Sequence, residues 1–133
     1  MLSLKTAASL KNAGLEWKPE LLDTFIVPDV GLDERVFVLT DMMAEVSVLK
    51  GWPAITFHGV VEWALDYVLQ TEVVWIPRED QLRTLIESKA SKVHLLFQEG
   101  SYTCTLKRGS LEHLFKADSA AEAYAAGLLF VLT

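Results

Sequence analysis

The stretch KVHLLFQEGSYTCTLK, from Lys92 to Lys107, constrains the fold of this chain more than any other. With Glu99-Gly100 as a two-residue turn, Phe97 faces Tyr102, Leu95 faces Cys104 and Val93 faces Leu106. All six side chains are apolar or partly so. His94, Thr103 and Thr105 alternate to the other face. A slip of one residue would send every side chain to the wrong side, so this agreement specifies an antiparallel hairpin with one buried face. AEVSVLKGWPAITF, from Ala44 to Phe57, reads the same way. With Lys50-Gly51 as the turn, Val48 faces Pro53, Val46 faces Ile55 and Ala44 faces Phe57. Pro53 has no N–H to give to a ladder, so its strand is expected at an edge or bulged near the turn.

The rest of the chain supplies helices and shorter strands. Ser3 to Ala13 has one apolar face (Leu4, Ala7, Ala8, Leu10) and a stop signal at Gly14. DTFIVPD is expected as a short strand ended by Pro28, RVFVLT as a buried strand and EVVWIP as a third. VVEWALDYVLQ has a helical period through Val60, Trp63, Ala64 and Tyr67. A last helix is expected from about Ala120 to Leu132. Ser119 and Glu122 have the spacing of a capping box at its start.

One densely charged stretch, WIPREDQLRTLIES, looks at first like a site. Pro77 suits a first helical turn, and Glu79 and Asp80 suit the positive end of the helix dipole. Leu82, Leu85 and Ile86 form the buried stripe. Arg83 has Glu79 and Glu87 four residues away on either side. A strand-to-helix junction explains every charge, and that reading is preferred to a binding site around Arg78. The fold expected is α+β: a single domain over residues 1–133, with a mainly antiparallel sheet of about five or six strands and helices packed against it.

The composition narrows function by exclusion. A formal charge of −6, with no basic run longer than Lys107-Arg108, argues against nucleic acid and against a basic membrane-surface helix. The apolar C-terminal run AAGLLFVL is far shorter than the roughly 20 residues of a membrane span, and the N-terminus lacks the unbroken apolar core of a signal peptide. A single cysteine, Cys104, fits a reducing cytosol. A chain that is 51% hydrophobic with a mean hydropathy of +0.27 has either an unusually complete core or apolar surface that meets a partner.

No dinucleotide, phosphate-loop, nucleophile-elbow or zinc-protease motif is present. No cofactor is expected. His58, Glu62 and Asp66 stand four residues apart and would share a face of a continuous helix as a divalent-metal set. Gly59 interrupts that helix, so two solvated acids are the preferred reading. Asp29, Asp33 and Glu34 offer oxygen ligands in a loop but lack calcium-loop spacing. Cys104 with His94 or His113 would make a nucleophile pair, against the simpler reading of a buried, inert cysteine. Trp52 and Pro53, at a hairpin tip, are the interface candidates.

VFVLTDMMAEV, GWPAITFHGVVEWALDYV and VVWIPREDQL, with the terminal SAAEAYAAGLLFVL, resemble a family of small bacterial proteins without established function. Some members of that family carry a pilus-assembly label. The present chain lacks the ATP-binding loop, pilin signal or membrane anchor that such a role would call for, and no functional residue is carried over. The C-terminal hairpin and Ala-rich helix are also similar to small phage-derived α+β domains. The resemblance implies a bacterial cytoplasmic accessory protein. The function expected is a non-catalytic interaction module, self-associating as a homodimer and possessing a protein partner. The alternative is a small-ligand binder or hydrolase whose acids and histidines meet only in the fold.

Overall fold

The computed structural model describes residues 1–28, 36–40, 44–49, 51–57 and 67–133. They gather into two compact units: Trp17–Ile76, and the flanking segments Met1–Glu16 and Pro77–Thr133 together.

In the unit Trp17–Ile76, strands β1 (Thr24–Ile26), β2 (Val36–Val38) and a later strand at Val74–Ile76 form one antiparallel sheet with β1 in the centre. Phe25 pairs with Phe37 on one side and with Trp75 on the other, so three aromatic side chains share a face. Phe25 is fully buried, its ring 5.5 Å from Phe37 and 5.4 Å from Trp17. The expectation of a buried strand at RVFVLT holds at Phe37 and Leu39. Val36 and Val38 are partly exposed, because β2 is an edge.

Strands β3 (Ala44–Leu49), β4 (Trp52–Phe57) and β5 (Tyr67–Leu69) form a second antiparallel sheet. Val48, Val46 and Ala44 face Pro53, Ile55 and Phe57, as the alternation requires. Pro53 is on the central strand, not on an edge. It is tolerated there because β5 pairs only with Ala54–Thr56 and needs no N–H from Pro53. β5 corrects the helix expected over VVEWALDYVLQ: Tyr67–Leu69 is extended, and Gln70–Glu72 is a 3-10 turn. Aromatic and β-branched residues beside an open edge of β4 favour pairing over helical period. The remainder of that expected helix, 60–66, lies outside the described residues. The 3-10 turn is held by the Leu69 N–H donating to Glu72 Oε1 at 3.1 Å, and β6 (Val74–Ile76) follows it.

The other unit holds the helices. α1 (Leu4–Asn12) buries Leu10 and Ala7, and Ser3 Oγ caps it by accepting from the Thr6 N–H at 3.2 Å. α2 (Glu79–Glu87) begins two residues after Pro77, which stands before the N-cap and not in the first turn. Arg78 is its N-cap, with its N–H donating to Gln81 Oε1 at 2.9 Å, and Leu82 and Ile86 are fully buried. Strands β7 (Lys92–Gln98), β8 (Ser101–Arg108) and β9 (Leu111–Ala117) form a third antiparallel sheet with β8 in the centre. Phe97–Tyr102, Leu95–Cys104 and Val93–Leu106 pair as read from the sequence. The turn places Glu99 and Gly100 at φ 51° and 77°, the doubly positive pattern that suits a two-residue hairpin.

α3 (Ala120–Leu132) packs on β8 and β9, and α1 and α2 pack on α3. Ala123, Ala125, Gly127 and Leu128 are buried along it. A Cβ at Gly127 would lie 3.0 Å from Leu106 Cδ1 and 3.5 Å from the Phe115 ring, so the helix sits as close as a glycine permits. Only half of the expected capping box forms. Ser119 Oγ accepts from the Glu122 N–H at 3.1 Å. The Glu122 carboxylate turns to α1 instead, accepting from the Ser3 N–H at 3.0 Å and the Thr6 hydroxyl at 2.8 Å. The class is therefore α+β with antiparallel pairing. In place of one sheet of five or six strands, the described residues form three sheets of three strands each.

Candidate functional site

Trp52 is the first residue of β4, opposite Leu49 at the tip of the β3–β4 hairpin. Its side chain is 62% exposed, and Pro53 beside it is also exposed. An indole held in water by a regular strand forfeits the burial that its large apolar surface favours, and a partner surface would restore it.

The charged stretch Arg78-Glu79-Asp80 forms the N-terminus of α2, as a strand-to-helix junction requires. Arg78 Nε lies 3.3 Å from Asp80 Oδ1, an exposed pair at the N-terminus of the helix. Glu79 and Asp80 occupy the first turn, where the dipole favours them.

Cys104 is buried, and that burial pushes its thiol up to about 11. At neutral pH it is protonated and a poor nucleophile. His94 pairs with Thr105 and points to the opposite face of the sheet, so it is no partner for that thiol. His113 shares the face of Cys104 one pair along the ladder, but its ring lies 4.4 Å from Phe130, in an aromatic contact. Tyr124 lies over the same region. Its phenol is raised first by burial and then by the nearby Cys104, with the Arg83 charge opposing.

His58, Glu62 and Asp66, and the loop acids Asp29, Asp33 and Glu34, lie outside the described residues. Among the described residues no three His, Cys, Asp or Glu side chains gather where they would hold a metal ion. Also among them, no helix is long and apolar enough to cross a membrane.

Two features escaped the sequence reading. Asp23 is fully buried beside β1, with Oδ2 accepting from Trp17 Nε1 at 2.8 Å and from the Glu20 N–H at 3.0 Å. It closes a turn in which Leu22 takes φ 72°, a left-handed conformation costly for a leucine. β9 is the second. Its signal was legible: Gly109-Ser110 is a two-residue hairpin turn, and Leu111 to Phe115 alternate across the strand. Comparison with protein-family models, with curated proteins and with solved structures finds no match to this chain.

Proposed function

We propose that this chain is a non-catalytic protein-interaction module of the bacterial cytoplasm that self-associates, with Trp52 and Pro53 as a contact surface. The exposed Trp52 carries the reading. The high apolar content does not all go inward: Leu21, Leu22 and Leu114 are also more than half exposed. Singly scattered leucines are ordinary on a protein surface, so the weight falls on Trp52, whose large indole gains most from burial against a partner. A net charge of −6 disfavours a polyanionic partner.

Trp52→Glu is expected to keep the native fold, read by circular dichroism, and to weaken association, read by sedimentation equilibrium. Protein that is monomeric across micromolar concentrations rejects self-association. Association unchanged by Trp52→Glu rejects the tip as its surface.

A further inference from the structure

The sheet β7-β8-β9 ends in β9, whose outer side has no strand partner among the described residues. The Gly109-Ser110 loop has two residues, so the Arg108–Leu111 pair beside it is closed by hydrogen bonds and the pattern alternates from there. His113 and Phe115 therefore bond inward to β8. The N–H and C=O groups of Glu112, Leu114 and Lys116 face outward. Natural edge strands are usually covered, bulged or guarded by charged side chains, and the guards on β9, Glu112 and Lys116, are of opposite sign, so they repel a random strand less than they fit a matching one. β9 is a regular strand whose exposed face reads acid, leucine, base.

That order is self-complementary. An antiparallel copy of β9 centred on Leu114 sets Leu114 opposite Leu114, Glu112 opposite Lys116, and Lys116 opposite Glu112. The two leucines, each 67% exposed, cover one another. On the other face His113 falls opposite Phe115, extending the aromatic contacts that Phe130 of α3 makes with both rings at 4.4 and 5.6 Å. The opposite edge has no such symmetry. About Leu96, the β7 sequence sets His94 against Gln98.

We infer that β9 is a second association surface, on which another copy of this chain pairs edge to edge about Leu114 to continue the sheet from three strands to six. The inference shares with the proposed function the premise of self-association. It concerns a different surface, in the other unit.

The test is made in the full chain carrying Trp52→Glu, so that the hairpin tip does not contribute. In that background the protein is expected to dimerise. Adding Glu112→Lys or Lys116→Glu sets like charges opposite each other twice per dimer, and each is expected to weaken dimerisation about tenfold or more. Mixing these two variants restores dimers, because the lysines of one meet the glutamates of the other. The double exchange Glu112→Lys with Lys116→Glu keeps the complementarity and is expected to dimerise alone, which separates pairing from misfolding. A Trp52→Glu protein that remains monomeric overturns the inference and leaves the tip in place as the association surface. Dimers indifferent to both single reversals also overturn it. So does a mixture that stays monomeric.

Discussion

Cys104 sits mid-strand in β8 with its thiol in a dry core, and a pH dependence of stability follows. Its ordinary value is 9.0, and burial pushes it up to about 11 in the folded chain. Between those values the unfolded chain has released a proton that the folded chain still holds. Stability is therefore whole below about pH 9 and falls as the pH rises toward 11, by about 2 to 3 kcal/mol in full. Tyr124, also raised by burial, adds to the loss at the upper end. Denaturant titrations are expected to show a shallower decline with pH for Cys104→Ala than for the native chain. Equal slopes would mean that the thiol ionises as freely folded as unfolded. The same residue shows what the sequence reveals at this scale. Its facing partner, Leu95, follows from alternation alone. The buried Asp23 does not, because its indole and amide donors come together only once the turn has formed.

At the scale of elements, α3 depends on Gly127. Glycine costs a helix roughly 1 kcal/mol relative to alanine, so Gly127→Ala would stabilise an isolated helix. Here the added carbon meets Leu106 Cδ1 at 3.0 Å, and Leu106 is fully buried with little room to yield. Overpacking of this kind costs about 1 to 3 kcal/mol, so the net expectation is a loss of about 1 kcal/mol. Leu106→Val should recover part of that loss in the double variant, a coupling that a thermodynamic cycle would detect. Additive effects would place the close contact elsewhere. The elements legible in the sequence were those whose own residues settle the matter: both hairpin registers, the span of α3 and the Ser119 cap. Those misread depended on distant strands. Tyr67–Leu69 has the period of a helix and becomes β5 because β4 offers it an edge. Glu122 has the spacing of a reciprocal cap and turns away because Ser3 and Thr6 offer better donors.

For the molecule as a whole, the two units are expected to differ in local stability. The sheet β2-β1-β6 is made of three-residue strands. The sheet β7-β8-β9 has strands of seven and eight residues, with a thirteen-residue helix packed on two of them. Longer ladders beneath a helix open less readily. Hydrogen exchange is expected to leave the amides of Cys104 and Leu106 protected at least about tenfold longer than that of Phe25. A Phe25 amide that outlasts both would reverse the order of the two units. The candidate site remains the least legible part at this scale, since an exposed indole and an open strand edge acquire meaning only from what meets them.

The clasp between the two ends of the chain has a consequence for biosynthesis. Ser3 and Glu122 are 119 positions apart, and the carboxylate that holds the start of α1 is made long after the helix itself. At 5 to 20 residues per second, α1 waits on the order of ten seconds for α3 to emerge from the ribosome. During that interval the whole of Trp17–Ile76 is translated. α1, whose Ala7 and Leu10 are buried in the finished protein, has no α3 to pack on until then. α1 is thus made well before it is docked, and in the meantime its apolar face is open to any chaperone that reads nascent chains.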